Sequence, residues 1–334
     1  MTFPNGSTAN LEALITRPDR PGRFPLVMIN HGYPRDLMQI PRMTPEAYST
    51  VSIVFAQHGY AAVVVNRRGF GLSSGAVDVA MNPCNGRNYE REGRVSAEDV
   101  TAALAVLRLE PWTDPSRIVL LGHSAGGLAV LAAATAPLPG VIGVLDFAGG
   151  RGSSRPDFVC NADGLVQTMH DFGMHTRVPS LWVFAENDHF FGPEIADKMF
   201  AAYISGGAPA EFFAAPAYGS EGHMLIQAAD AASWWTRVGA FLDKQHLPSQ
   251  SMIDLPPVTL LPPPNAPERI RAAFANYAAS RGYEKAFAVS TDGHYGTANG
   301  RRSREDATAG ALDNCRKYGT GCTVYAVGDT LAKP

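Results

Sequence analysis

Short apolar or β-branched runs alternate with longer helical patterns from the start of the chain to about residue 245, which is the signature of a parallel sheet covered by helices. The spacing predicts strands over 11–16, 25–31, 60–66, 117–123, 141–147, 178–185 and 210–214. Runs such as AAVVV and RIVLLG are apolar at successive positions, as a strand buried on both faces requires. Helical periodicity fills the gaps at 44–58, 92–109, 125–136, 193–205 and 224–245. Pro193 falls in a first turn, where its missing N–H leaves no acceptor unpaired. The fold class read from this pattern is α/β.

The pattern stops at 247–267, LPSQSMIDLPPVTLLPPPNAP, where proline makes helix and central strand hard to sustain. Beyond it, 268–281 and 303–317 have helical periodicity, while 285–290 and 322–327 read as strands. The expected organisation is a domain over 1–246, a proline-rich linker over 247–267 and a small α+β module over 268–334. A module of roughly 65 residues is near the size at which a core alone is marginal.

The 334 residues are 46% hydrophobic and 18% charged, enough apolar surface for a substantial core. Lys+Arg 28 against Asp+Glu 31 gives a net charge of −3, which offers nucleic acid no broad electrostatic attraction. No apolar run approaches the ~18 residues of a bilayer span, so no membrane insertion is expected. The opening MTFPNGSTAN lacks the basic and apolar regions of an export signal.

Cys84, Cys160, Cys315 and Cys322 include no C-x-x-C, so the usual zinc and redox spacings are missing. They read as two disulfides or as four free thiols. Bridges would put the protein in an oxidising compartment, periplasmic or secreted, as a processed form or a chain with a new initiator Met; free thiols would suit the cytoplasm.

The most specific motif is Gly122-His123-Ser124-Ala125-Gly126, a G-x-S-x-G directly after an apolar strand and directly before an Ala/Leu-rich helix. So tight a turn leaves no room for side chains at Gly122 and Gly126, and it pushes the Ser124 hydroxyl into the open. A serine becomes nucleophilic only beside a base, and the base needs a carboxylate to hold its tautomer. His223, in GSEGHML after the last strand, is the expected base, and Asp188, after SLWVFAEN, the expected acid. Asp146 is the main rival for the acid and Glu186 a third candidate. Acyl transfer also needs two backbone donors for the oxyanion, assigned to the amides of Ala125 and of Tyr33 in HGYP. Tyr33, His123 and Phe190 are the side chains expected against the substrate. His170 and His175, five apart, have the wrong helical spacing for a shared metal, and neither metal nor organic cofactor is expected.

With HGYPRD, NRRGFGLSSG, GHSAGG, FAENDHF and EGHML in place, roughly the first 245 residues resemble the α/β-hydrolase superfamily. Within it, they resemble the dienelactone-hydrolase-like and prolyl-oligopeptidase-like branch. The resemblance implies a mostly parallel eight-stranded sheet flanked by helices, with Ser124, Asp188 and His223 as the triad. Strict dienelactone hydrolases use a cysteine nucleophile, so Ser124 argues against carrying over their substrate. The expected activity is a serine carboxylesterase acting on a small-molecule ester. The alternatives are a serine peptidase or amidase of the oligopeptidase-like branch, and a non-catalytic binding protein on the same fold. Segments 82–94 and 149–165 interrupt the strand–helix rhythm, and a Cys84–Cys160 bridge would pin them together over the site. The C-terminal module is similar to small cysteine-containing modules of bacterial extracytoplasmic proteins, which implies contact with cell-envelope material.

Overall fold

The computed structural model describes residues 1–3, 6–77, 84–228 and 230–332; Asn82 and Pro83, at the start of the expected 82–94 interruption, lie outside the described residues. The strands of the first part are β1 (Ala13–Thr16), β2 (Phe24–Asn30), β3 (Ala61–Val65), β4 (Thr113–His123), β5 (Val141–Phe147), β6 (Ser153–Arg155), β7 (Phe158–Val159), β8 (Ser180–Ala185) and β9 (Ala210–Ala215). Seven of them form one sheet in the order β1-β3-β2-β4-β5-β8-β9, and β6 and β7 make a separate hairpin. Only β1 runs antiparallel to its neighbour; the other five pairings are parallel. Each of the seven runs expected from the sequence lies in this sheet. The described sheet therefore has seven strands, one fewer than the family resemblance implies, and an α/β-hydrolase architecture.

Register positions the chemistry. Asn30 pairs with Gly122 and Gly122 with Asp146, so β2, β4 and β5 end level with one another. The residues just beyond them, HGYP after β2 and Ser124 after β4, leave the sheet on the same carboxyl edge, where open α/β sheets bind ligands.

The helices are α1 (Ser49–Gln57), α2 (Tyr89–Leu107), α3 (Ala125–Ala133), α4 (Ala162–His175), α5 (Pro193–Ser205), α6 (Leu225–Ala228) and α7 (Trp235–Lys244). A single core joins α2, α3, α4 and α5 to the central strands through residues such as Leu120, Leu128, Phe172 and Trp182. Asn88 caps α2 by accepting from the Arg91 amide, so this helix begins three residues before the expected 92. The expected helix over 224–245 is divided instead. Asp230 accepts from the Ala232 amide and its carbonyl from the Ser233 hydroxyl, local bonds that compete with a continuous helix. Helix α4 was not anticipated, although Leu165, Met169 and Phe172 are buried at the i, i+4, i+7 spacing of one face.

The chain makes two compact units, Met1–Met43 with Val54–Ile253 and Thr44–Ile53 with Asp254–Pro334. In the first unit, Pro248 accepts from the Tyr60 hydroxyl and Met252 donates to the Gln57 carbonyl, so this stretch of the proline-rich segment is anchored. The second unit carries α8 (Glu268–Ala279), β10 (Ala286–Val289), β11 (Tyr295–Ala298), α9 (Arg304–Arg316), β12 (Thr323–Val327) and β13 (Thr330–Leu331). Its sheet runs β11-β10-β12-β13. Phe287 packs against Phe274 and Tyr277 of α8, while Ala286 and Ala288 pack against Ala307 and Ala311 of α9. The two-residue period of β10 thus puts bulk on one face and small residues on the other. Two disulfides form, Cys84–Cys160 and Cys315–Cys322.

Candidate active site

Ser124 joins β4 to α3 with φ 58° and ψ −123°, a conformation that L-residues avoid unless their surroundings impose it. The surroundings are glycines. A Cβ at Gly122 would collide with the Gly126 carbonyl, and one at Gly126 with the Asn30 carbonyl. The Ser124 carbonyl is held by the amides of Gly127, Leu128 and Gly150. The Ala125 N–H opens α3, among the first-turn donors that lack an intrahelical acceptor, at the end of the helix that favours negative charge.

His223 lies on the 3-10 turn Gly222–Met224, and its Nδ1 is 3.0 Å from Asp188 Oδ2, with both side chains buried. The other Asp188 oxygen accepts from the amides of Phe190 and Phe191 at 2.7 and 2.8 Å, which fixes the carboxylate. Glu221 Oε1 accepts from the amides of His223 and His189, tying the histidine loop to the loop after β8. Phe190 stacks on the His223 ring, centroids 4.0 Å apart, and the Arg35 guanidinium lies on Phe190 at 3.4 Å. Among the described residues Ser124 Oγ makes no hydrogen bond with His223; catalytic contacts of this kind often tighten only around substrate.

Neither rival acid meets His223. Glu186 is exposed. Asp146, at the end of β5, is fully buried, and among the described residues neither of its oxygens has a hydrogen-bond partner. Burial pushes its carboxyl well above the ordinary aspartate range, which favours the protonated form.

His123, expected against the substrate, is buried with its Nε2 2.8 Å from the His223 carbonyl oxygen. Burial first, and the charge of His223 second, push His123 down to about 3; it is neutral and donates through Nε2–H. Its position makes it a positioning residue for the histidine loop. His31 is neutral for the same leading reason, burial, with Arg67 adding to it. Its Nε2 accepts from the Arg67 amide at 3.0 Å and its Nδ1–H donates to the Gly32 carbonyl at 2.7 Å. Arg67 Nη1 also bonds the His31 carbonyl at 2.7 Å. The carbonyls of this segment are thereby tied to Arg67 and to the His31 ring, which fixes the strand end that carries the Tyr33 amide.

A cavity of about 240 Å³ opens beside Ser124, with Tyr33, Ala125 and Phe190 among its lining residues. That volume is small against the ~300–1,000 Å³ of sites for drug-sized ligands. Its other walls include Arg35, Arg87 and Arg151, three residues to which sequence reasoning assigned no role. The available signal was an arginine in each of HGYPRD, CNGRN and GGRGSS, loops that follow strands or carry an upstream cysteine. The Cys84–Cys160 bridge holds two of these loops together, and the Tyr89 hydroxyl bonds the Cys160 carbonyl beneath it.

No curated protein matches the chain. Among solved structures, Porphyromonas gingivalis dipeptidyl peptidase 4 is 18% identical with a TM-score of 0.52, covering 73% of this chain and 34% of its own. Acetyl xylan esterase from Paenibacillus sp. R4 is 17% identical with a TM-score of 0.51, covering 73% and 81%. DcsB, solved with its substrate analogue, is 16% identical with a TM-score of 0.51, covering 73% and 97%. At such identities the likeness is one of fold. The sequence profile of the X-Pro dipeptidyl-peptidase (S15 family) matches residues 6–246, more than half of the chain. With the strained turn at Ser124 and the histidine–aspartate pair inside that span, this chain is a hydrolase and belongs to the X-Pro dipeptidyl-peptidase (S15) family.

Proposed function

We propose that the protein is a serine carboxylesterase that works through an acyl-enzyme. The observation that carries the reading is the buried His223–Asp188 pair at 3.0 Å on the sheet edge where Ser124 sits in its strained turn. In this mechanism His223 Nε2 takes the Ser124 proton as Oγ attacks the ester carbonyl, and the amides of Ala125 and Tyr33 bind the oxyanion. The alkoxide leaves with the proton from His223, which breaks the C–O bond and leaves the acyl group on Ser124. Water then attacks the acyl carbon, His223 takes its proton and returns it to Ser124, and the acid departs. Asp188 holds the Nδ1–H throughout and stabilises the imidazolium.

The same groups cleave amides, and the family carries the name of a peptidase. The arginines around the cavity support the ester. A peptide presenting its ammonium end there would meet three guanidinium groups. The test compares p-nitrophenyl butyrate with Gly-Pro-p-nitroanilide on wild type and on Ser124→Ala. Ester turnover at least a hundredfold above the anilide, abolished by Ser124→Ala, is expected. Preference for the anilide would install the peptidase reading, and ester turnover that survives Ser124→Ala would remove Ser124 from the chemistry. The two disulfides support an oxidising compartment, periplasmic or secreted.

A further inference from the structure

The second unit has a cavity of its own, about 370 Å³, around β11, an edge strand of its sheet. Edge strands leave backbone groups without a neighbouring strand, and here a side chain answers one of them: Asn314 Nδ2 donates to the Thr297 carbonyl at 2.8 Å. Asn314 Oδ1 in turn accepts from Lys317 Nζ at 2.9 Å, so the end of α9 is laid against the strand. Gly296 makes that approach possible, since a Cβ there would collide with the Ala311 carbonyl and the Cys315 amide nitrogen. The Cys315–Cys322 bridge, spanning a separation of 7 residues, encloses Lys317 and Tyr318, and the amides of Tyr318 and Gly319 both bond the Cys315 carbonyl. This side of the cavity is thus held in place before any ligand arrives.

Two kinds of group meet in the lining. Arg269 and Lys317 are cations that, among the described residues, pair with no carboxylate; Arg269 Nη2 donates to the Gly293 carbonyl and Lys317 Nζ to Asn314. The carboxylates close to them in the chain are engaged: Glu268 with Arg271, Asp313 with Arg316, and Asp292 with Thr320 and His294. A guanidinium has five donors and an ammonium three, so both cations keep donors for a ligand anion. The other kind is aromatic. Tyr295 lies parallel to Phe287, 3° between planes and centroids 5.6 Å apart, and remains 37% exposed, while Tyr318 is 72% exposed. Each tyrosine offers an apolar ring face with a hydroxyl at its rim. Among the described residues no aliphatic side chain lines the cavity, which counts against an apolar ligand. Cations, tyrosine rings and the neutral polar groups of Thr297 and Asn314 match a ligand that carries a carboxylate on a hydroxyl-rich ring.

We propose that this cavity binds a uronic-acid saccharide, its carboxylate taken by Arg269 and Lys317 and its sugar ring laid against the tyrosines. The second unit is then a binding module, and its role does not rest on the esterase reading of Ser124.

Calorimetry on the full chain tests this with trigalacturonate, trimannuronate and a hyaluronate tetrasaccharide, against cellotriose as the neutral saccharide and triglutamate as the acidic peptide. At least one uronic saccharide is expected to bind about tenfold or more tighter than both controls, with the lead over cellotriose shrinking as ionic strength rises. Lys317→Gln and Tyr318→Ala, at exposed positions where the fold should tolerate them, are each expected to weaken that binding several-fold with Tm unchanged. Lys317→Arg, which keeps the charge, should retain most of it. No binding by any of the three saccharides would overturn the proposal. Triglutamate binding as tightly as the saccharides would overturn it too, leaving a site for acidic peptides. Binding that survives both Lys317→Gln and Tyr318→Ala would put the saccharide elsewhere on the chain and remove this cavity from the role.

Discussion

Asp188 and Asp146 both stand at the ends of apolar strands, β8 and β5, and both are almost fully buried. Their neighbours make them different acids. Asp188 receives two amides and a histidine, whereas Asp146 receives nothing among the described residues, and Gly127 and Gly149 press against it because a Cβ at either would collide with its carboxyl. Asp188→Asn should lower kcat on a p-nitrophenyl ester by about a thousandfold or more, since the histidine loses the group that holds its tautomer. Asp146→Asn should leave turnover largely intact. The reverse pattern would reassign the acid. Asp146 also has a pH signature. Its folded-state pKa is raised above the unfolded value, so between the two the folded protein binds the extra proton and stability falls as pH rises. Asp146→Asn should therefore raise Tm at pH 8 and give little change near pH 4. An equal effect at both pH values would mean that Asp146 is ionised in the folded protein.

At the scale of elements, the two disulfides constrain very different lengths of chain. Cys84–Cys160 spans a separation of 76 residues and ties the approach to α2 to the hairpin β6–β7, while Cys315–Cys322 spans 7. Chain-entropy arguments put their contributions at about 4.5 and 2.5 kcal/mol respectively. The double substitution Cys84→Ser with Cys160→Ser should lower the urea midpoint more than Cys315→Ser with Cys322→Ser, and the unreduced, denatured wild type should show no free thiol. The reversed order of midpoints would mean that the long bridge is offset by strain in the folded state. The strands were legible because β2, β3 and β8 are buried along their whole length and so read as uninterrupted apolar runs. Helix α4 was not, because its opening carries Asn161 and Asp163 beside Cys160 and reads as a loop. Strand β11, with Gly296 and Thr297 at its centre, forms by pairing with β10 and packing on α9, contacts that its own sequence does not announce.

For the whole molecule, chain order and compactness part company. Thr44–Ile53 lies early in the sequence yet belongs to the second unit, where Thr44 Oγ1 donates to the Gly300 carbonyl and Ser49 Oγ accepts from the Tyr283 amide. A chain ended at Ile253 keeps Ser124, Asp188, His223 and the cavity beside Ser124, so on the proposed mechanism its ester turnover per folded molecule should match the full chain. It should also melt lower, by about 4 °C or more, because two hydrogen bonds and their surrounding contacts are lost. Lost turnover in a folded truncation would make the second unit part of the catalytic apparatus. Charge behaves similarly. A net charge of −3 is silent about a cavity that has Arg35, Arg87 and Arg151 among its lining residues.

The sequence alone determined the α/β class, the seven strands and the elbow at Ser124, because each depends on neighbours in the chain: apolar runs, helical periodicity and glycines at fixed offsets. It also singled out His223 and Asp188 as candidates for base and acid by their places after strands. Tertiary structure decided which carboxyl meets His223, where His123 turns, how the cysteines pair and which arginines gather beside Ser124. These are contacts between residues far apart in the chain. They follow from strand register and loop path, and no local pattern encodes either.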